Sequence, residues 1–245
     1  MSEVVFVGTS DAFGAGGRRQ SALLVRAAHG GLLLDCGTTT ASGLAALGIE
    51  RDEIDAILIS HFHGDHFGGI PALLLAALYE DERRKPLCVA GPHGIERRVH
   101  QLAAAMGYAI EEREWSFAIE FLELPSDRQT EIGPVQVRSF ETRHQPHTHP
   151  HGMVVTAGRE RIGYSGDTGW FDELPRKVGG VDLFVCECTY HTPGFEFHLN
   201  HQALVAHKPE FDCGRMVLTH LGSEMSARRG ACDFETADDG LTIRL

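Results

Sequence analysis

A run of potential metal ligands directly after an apolar segment constrains this chain more than any other feature. Residues 54–60 read Ile-Asp-Ala-Ile-Leu-Ile-Ser, which predicts a short buried strand. The next six positions contain His61, His63, Asp65 and His66. A buried strand fixes its own end, so the loop that follows can hold side chains in rigid convergence. Imidazole and carboxylate are ligands that Zn²⁺ and similar ions prefer. We therefore predict a metal site at this strand end; the alternative is a polar turn that happens to be rich in histidine.

The length and charge of the chain limit the classes of protein to which it can belong. Its 245 residues, 42% hydrophobic and 23% charged, predict a single globular domain over residues 1–245. The net charge is −12, from 22 basic and 34 acidic residues, and a surface of that sign disfavours a large nucleic-acid footprint. Local basic clusters at 83–85, 97–98 and 228–229 are expected to be solvated.

The start of the chain and its cysteines give expectations about location. Residues 1–5 lack a basic and apolar leader, and no apolar run is long enough to span a membrane, so we expect a cytoplasmic protein with no membrane contact. The spacing of the six cysteines does not match that of a disulfide-rich scaffold. Cys186 and Cys188 are expected to be small buried residues that share one face of a strand.

Apolar segments bounded by turn residues predict a mixed fold of strands and helices. The predicted strands cover residues 4–7, 22–26, 32–35, 54–60, 87–90, 135–140, 153–156, 161–165, 182–186 and 216–219. The predicted helices cover residues 38–47, 70–82, 95–106 and 202–208. Hairpin-like strands combined with a few helices favour an α/β fold of the α+β type, with sheets covered by helices, over a strictly alternating parallel fold.

Three more potential ligands also stand just after predicted strands. His144 follows the strand at 135–140, Asp167 follows the strand at 161–165, and His220 ends the segment that begins at residue 216. Strands of one sheet end at one edge, so these side chains are expected to converge with those at 61–66 although they lie far apart in sequence.

These motifs resemble those of the metallo-β-lactamase superfamily, and within it the ribonuclease Z-like branch and its phosphodiesterase relatives. The matching segments are the His-x-His-x-Asp-His run at 61–66, His144, Gly-Asp-Thr at 166–168, His220, the opening strand and turn at 5–13, the hairpin at 33–37, the helix start at 68–71, and the segments 186–190 and 198–200. The resemblance implies an αβ/βα four-layer sandwich, in which two sheets lie between two layers of helices.

The resemblance also implies two divalent metal ions, with Zn first expected and Mn, Fe or Co compatible with the same ligands. His61, His63 and His144 would hold the first ion; Asp65, His66 and His220 would hold the second; Asp167 would bridge them. A hydroxide between the ions would be the nucleophile of a hydrolytic reaction. Asp65 is counted among the catalytic residues as well, because it marks the second metal position.

The choice of His144 over its neighbours rests on the spacing of the family. His147, His149 and His151 follow closely, and each could compete for a metal, contact substrate or face solvent. His144 best matches the family's spacing before a glycine and an apolar strand.

His198 is predicted to be the general acid, oriented by Glu187, as in the paired motifs of the branch. A cleaved phosphodiester needs a protonated leaving oxygen, and histidine suits that task near neutral pH. The alternative is that His198 only precedes a helix for which Asn200 is the N-cap. Leu199 and Asn200 depart from the small hydroxyl residues usual in the family at these positions. Ser10 and Asp11 are expected near the site, where Asp11 could instead brace its own loop.

A small phosphodiester, with a cyclic phosphate or cyclic nucleotide as examples, is the predicted substrate. Enzymes that process transfer RNA usually carry an extended arm, and the segment between His144 and Asp167 is too short for an arm plus a strand pair. Apolar pocket walls are expected from residues 71–82 and 115–121. The alternatives are a ribonuclease Z-type endonuclease, an ester, thioester or lactone hydrolase, and a metal-binding sensor or scaffold. A homodimer is expected only by analogy with the branch.

Overall fold

The computed structural model describes residues 2–28 and 30–245. Its strands form two seven-stranded sheets. In chain order the strands are β1 (Glu3–Gly8), β2 (Ala22–Ala27), β3 (Gly30–Leu34), β4 (Ile54–Leu58), β5 (Leu87–Gly91), β6 (Ile119–Glu123), β7 (Gln129–Ile132), β8 (Val135–Glu141), β9 (His151–Ala157), β10 (Glu160–Tyr164), β11 (Val181–Glu187), β12 (Cys213–Thr219), β13 (Glu235–Thr236) and β14 (Thr242–Arg244). The first sheet has the order β14-β1-β2-β3-β4-β5-β6, and the second has the order β13-β12-β11-β10-β9-β8-β7.

Helices cover the outer face of each sheet. They are α1 (Thr40–Ala46), α2 (Gly64–Phe67), α3 (Ile70–Tyr79), α4 (Ile95–Ala105), α5 (Leu174–Lys177), α6 (His201–His207) and α7 (Ser223–Ala227). Among the residues described, none of these helices has the length and apolar character needed to cross a bilayer. The predicted α/β sandwich of two sheets between helix layers is confirmed.

The core consists of three apolar layers, and the alternation of side chains along each strand explains them. In β1, Val4 and Phe6 pack between the two sheets, whereas Val5 and Val7 pack against the helices that cover the first sheet. A third cluster, which includes Phe184, fills the space between the second sheet and its helices. Because both faces of the central strands are buried, these strands are apolar at almost every position and are easy to recognise in the sequence.

All ten predicted strands and all four predicted helices are present, with ends that differ by a few residues. The four strands without a sequence prediction, β6, β7, β13 and β14, are the edge strands of the two sheets. An edge strand is short and only partly buried, so its apolar pattern is weak. β14 pairs with β1 and thereby joins the two ends of the chain, which supports the single domain proposed over residues 1–245.

Candidate metal centre

The site lies where the carboxyl ends of strands from both sheets meet. β10, β11 and β12 are parallel, and β8 runs in the same direction because it is separated from β10 by one antiparallel strand. The residues that follow these strands therefore meet at one edge of the second sheet. The His-x-His-x-Asp-His run at 61–66 (the hexad) follows β4, which belongs to the first sheet. The expected convergence is present, but it does not arise at the edge of one sheet, because the two packed sheets each supply part of the set.

Hydrogen bonds between main-chain groups hold the two edges together at this point. Phe62 donates its N–H to the Thr148 carbonyl over 3.0 Å, and His151 donates to the Ser60 carbonyl over 3.0 Å. Ser10 and Leu221 form a parallel bridge on the other side of the site. The relative position of the ligands is thus fixed by the backbone of both sheets.

One group of ligand atoms is formed by three imidazoles and a carboxylate, His61, His63, His144 and Asp167. The His63 Nδ1 atom lies 3.0 Å from His61 Nε2 and 3.1 Å from His144 Nε2. A tetrahedral Zn²⁺ site with Zn–N distances of about 2.0–2.1 Å places its ligand nitrogens about 3.3–3.4 Å apart. Burial lowers the pKa of all three imidazoles, and the neutral ring is the form that binds a metal.

A second group contains Asp65, His66, Asp167 and His220. The Asp167 Oδ1 atom lies 3.2 Å from His66 Nε2 and 3.4 Å from His220 Nε2, and Asp65 Oδ2 lies 3.3 Å from each of the same two nitrogens. The other oxygen of Asp167, Oδ2, faces the first group at 3.7 Å from His61 Nε2. Asp167 is therefore shared by both groups, which is the geometry expected of a bridging carboxylate.

The donor set fits a pair of divalent cations. His66 Nε2 and Asp167 Oδ1 are buried and, although they lie 3.2 Å apart, neither has a hydrogen bond of regular geometry among the described residues. A buried polar atom without a partner is costly, and a cation between the two groups would satisfy both. Although burial favours its neutral form, the imidazoles of His220 and His66 hold the pKa of Asp167 well below its usual range. The carboxylate is thus ionised and suited to a cation.

Cation binding at the second group would release protons. Burial opposes the charged form of His66, but the carboxylates of Asp167, Asp65 and Asp35 raise the pKa of His66 well above its usual range. A metal ligand must be the neutral imidazole, so a cation displaces this proton.

Asp35 orients His66 through the ring nitrogen that faces away from the ligand group, a role that the sequence analysis did not predict. Its carboxylate accepts hydrogen bonds from His66 Nδ1 (2.7 Å), Tyr164 Oη (2.6 Å), Ser60 N (2.7 Å) and Ser60 Oγ (2.8 Å). Ser60 Oγ in turn lies 3.0 Å from His61 Nδ1. One buried carboxylate therefore directs the Nε2 atoms of two ligands toward the centre. In the sequence, the one indication of this role is that Asp35 stands directly after a buried strand. In the structure, Asp35 adopts a φ of 59°.

The exchange Asp35→Asn is expected to weaken the binding of divalent cations about 10- to 100-fold, because an amide cannot accept all four hydrogen bonds and His66 loses its orienting carboxylate. Competition with a chromogenic chelator would measure the affinity. Asp55→Asn is the matched control, since Asp55 accepts a hydrogen bond from Gly31 in the first sheet and lies outside the ligand groups. Equal affinities for the Asp35 variant and the parent protein would contradict this role.

The predicted acid and its partner form a hydrogen-bonded pair beside the second group. His198 Nδ1 donates to Glu187 Oε1 over 2.9 Å. Glu187 is itself held by the N–H groups of Thr168 (2.9 Å) and Thr189 (3.1 Å) and by the Thr189 hydroxyl (3.0 Å). Burial disfavours the charged imidazole, but the Glu187 carboxylate raises the pKa of His198 to about 9. Asn200 also caps α6, with Oδ1 accepting from Ala203 N over 3.0 Å, so the two interpretations of this segment are compatible.

Thr189 is a further residue that the sequence did not reveal. Its hydroxyl lies 2.9 Å from His220 Nδ1 and 3.3 Å from the His220 carbonyl oxygen, as well as within hydrogen-bond distance of Glu187. Thr189 therefore links the candidate acid pair to a candidate ligand and fixes which ring nitrogen of His220 faces the centre.

The histidines after His144 lie outside the ligand groups. His144 donates from Nδ1 to the Phe197 carbonyl over 2.8 Å, so Nε2 faces the centre. The His151 ring bonds to the carbonyl of His149 over 2.8 Å, and no ligand group formed by the described residues contains His147, His149 or His151. The structure thus brings together all seven residues that the sequence proposes as ligands and leaves the surplus histidines aside.

A cavity of about 610 Å³ opens above the two groups. His63, Asp65, Asp167, His198 and His220 form its floor and sides, and its apolar surface comes from other segments, namely Ala12, Phe13, Tyr190 and Phe195. The expectation that residues 71–82 and 115–121 form the apolar walls is wrong. Those segments pack into the layer between the first sheet and its helices, so their apolar side chains face away from the site.

Comparisons with known proteins agree with the fold and the motifs. A family model described as Anti-Pycsar protein Apyc1 matches residues 2–237. An Anti-Pycsar protein Apyc1 of Bacillus phage 010DV004 is 30% identical over 234 residues, which cover 91% of this chain and 90% of that protein. A ribonuclease Z of Lachnoclostridium phytofermentans is 32% identical over 145 residues, which cover 59% of this chain and 45% of that protein. The match to this relative thus spans less than half of its length.

A solved structure extends the agreement to the whole chain. The metallo-beta-lactamase fold protein YhfI of Bacillus subtilis superposes with a TM-score of 0.79 and 21% identity, covering 100% of both chains. The metallo-β-lactamase fold that the resemblance implies is thereby confirmed, and with it the four-layer architecture.

Proposed function

Because the chain belongs to the Anti-Pycsar protein Apyc1 family, we propose that it is a phosphodiesterase that hydrolyses small cyclic phosphodiesters, cyclic nucleotides foremost. The observation that carries the proposal is the pair of ligand groups that share Asp167, with the His198–Glu187 pair beside them at the same cavity. Metal-dependent hydrolysis is the common chemistry of the superfamily.

In this proposal His61, His63 and His144 hold one cation; Asp65, His66 and His220 hold the other; Asp167 contacts both. Zn²⁺ is the proposed ion, and Mn, Fe or Co could use the same donors. When bound, two divalent cations lower the pKa of nearby water and offset negative charge on a phosphate. Five imidazoles and two carboxylates supply donors without any movement of the backbone, since their atoms already lie close together.

The chain's own residues then supply the proton for the leaving oxygen. Glu187 holds His198 through Nδ1, so Nε2 is the atom that donates into the cavity. The raised pKa of His198, about 9, keeps this imidazole protonated at neutral pH in the absence of cations. A ribose alkoxide is a poor leaving group, so a positioned acid contributes most where the substrate is a nucleotide.

The cavity favours a small substrate over structured RNA. Between His144 and Asp167 the chain forms only a 3₁₀ turn and the hairpin of β9 and β10, so this segment contains no extended arm. Among the described residues that line the cavity, none is lysine or arginine, although phosphate contacts in RNA complexes usually come from these side chains. A ribonuclease Z-type activity remains the second candidate, because of the 32% identity to a ribonuclease Z over 145 residues.

A substrate panel tests the proposal directly. Metal-loaded protein is expected to hydrolyse bis-p-nitrophenyl phosphate and 3′,5′-cyclic nucleotides, to lose both activities on chelation, and to leave a transfer-RNA precursor intact. Turnover of aryl esters without any diester turnover would contradict the proposal, as would cleavage of the precursor without turnover of cyclic nucleotides. Inactivity on every substrate at full metal loading would favour the sensor or scaffold interpretation.

A further inference from the structure

Phe13 is the most exposed of the large apolar side chains at the mouth of the candidate site. It is 93% exposed and lines the cavity above the ligand groups. Exposed apolar side chains are common singly, but a fully exposed aromatic ring at the rim of a polar site offers a surface for a ligand. What this ring contacts therefore bears on the identity of the substrate.

The turn that carries Phe13 is braced from within. Asp11 Oδ1 accepts hydrogen bonds from Phe13 N and Ala15 N, both over 3.1 Å, and from Ser10 Oγ over 3.0 Å. Gln20 Nε2 donates to the Ala12 carbonyl over 3.0 Å. The backbone at Phe13 is thus held from both sides, so a ligand that contacts the ring does not have to order this turn.

A second aromatic ring lies at the same cavity beside the candidate acid. Phe195 is 46% exposed, lines the cavity, and has its ring centre 6.3 Å from that of His198. Phe197 supports it edge-on, with ring centres 5.3 Å apart. Aromatic faces close to a catalytic imidazole suit the flat, neutral part of a substrate whose phosphate sits over the ligand groups.

The charges at the rim restrict the rest of the ligand. The carboxylates of Asp11 and Glu224 line the cavity, and no lysine or arginine does so among the residues described. Arg228 pairs with Glu224 over 3.3 Å and offsets part of this charge, but no lysine or arginine among the described residues lines the cavity to bind a second phosphate. The ligand that fits combines one phosphodiester group with a neutral aromatic group.

We infer that Phe13 and Phe195 bind the nucleobase of the substrate by stacking and thereby select cyclic nucleotides with a single phosphate. This inference rests on the proposed phosphodiesterase function and assigns its specificity to two residues outside the ligand groups. Every base has a π face, so stacking distinguishes a substrate that carries a base from one without a base, whichever base it is.

The test compares a 3′,5′-cyclic nucleotide with the base-free 3′,5′-cyclic ribose phosphate. We expect Phe13→Ala and Phe195→Ala each to lower the ratio of kcat/KM for the nucleotide to that for the base-free substrate about five- to 150-fold. Most of the change should appear in KM for the nucleotide, and Phe13→Trp should restore the ratio. Tyr79→Ala is the matched control, since Tyr79 is 64% exposed and lies outside the cavity.

Three outcomes overturn the inference. An unchanged ratio in both alanine variants would show that the rings do not bind the base. A change in oligomeric state by light scattering, with both substrates affected equally, would assign Phe13 to a contact between subunits. Failure of the parent protein to hydrolyse either substrate would overturn the proposed function itself, and that result is distinguishable because it does not depend on the variants.

Discussion

The exchange Asp167→Asn is expected to lower kcat/KM for cyclic nucleotides by more than about 100-fold and to reduce the metal content from two ions per chain to one or none. Even residues that only orient a ligand contribute about 10- to 100-fold to metal affinity or activity, so a shared ligand should contribute more. Asp167 has one oxygen near each group, at 3.2 Å from His66 Nε2 and 3.7 Å from His61 Nε2. The amide removes one negative charge and would turn an NH₂ group toward one of the two proposed cations.

Metal analysis separates this prediction from a general loss of folding. Asp212→Asn is the matched control, because Asp212 is an exposed residue before β12 and belongs to no ligand group. Asp167→Asn with parental metal content and full activity would contradict a shared ligand. One ion per chain in the parent protein would contradict the dinuclear centre while leaving hydrolysis by a single ion open.

The positions of the candidate ligands could be predicted from the sequence because each follows a buried strand. β4, β8, β10 and β12 are apolar enough to be recognised, and a potential ligand stands within a few residues of each end. The pattern could not show that the hexad and the remaining ligands belong to different sheets. Sheet membership depends on which strands pair over long range, and local periodicity contains no information about pairing.

Residues that act through hydrogen bonds to a ligand were harder to find. Asp35 and Thr189 touch His66 and His220 respectively, yet each stands far from its partner in the sequence. Polar residues at strand ends are common, and only the folded chain shows which of them is buried against an imidazole. The prediction of the pocket walls was wrong for a related reason. Residues 71–82 and 115–121 are apolar, but they lie on the far side of the first sheet.

A positive φ at a ligand illustrates a cost that the fold must offset. His220 adopts a φ of 54°, which is unfavourable for a residue with a β-carbon. The next residue is fixed on both sides: Leu221 donates to the Thr9 carbonyl over 3.1 Å and accepts from the guanidinium of the buried Arg18 over 3.2 Å. Contacts from the opening turn of the chain thus help to hold a candidate ligand in a strained conformation.

The exchange His198→Ala is expected to lower kcat about 10²- to 10⁴-fold on a cyclic nucleotide and far less on bis-p-nitrophenyl phosphate. The nucleotide releases an alkoxide that must be protonated, whereas nitrophenolate leaves without a proton. Equal losses on the two substrates would show that His198 does not act as the acid. Asn200→Ala is the control for the capping role, since it should lower the melting temperature, at a cost of about 1 kcal/mol, and affect both substrates alike.

The pH dependence of the same reaction tests the partner of the acid. His198 must be protonated to donate, so kcat/KM falls as the pH rises through its pKa, and Glu187 is the residue that raises this pKa. Glu187→Gln removes the carboxylate, lowers the pKa of His198, and should therefore move the alkaline limb for the nucleotide to lower pH. In His198→Ala the limb that belongs to this group should disappear. An alkaline limb that stays in place in both variants would assign the titration to another group and leave Glu187 with a purely structural role.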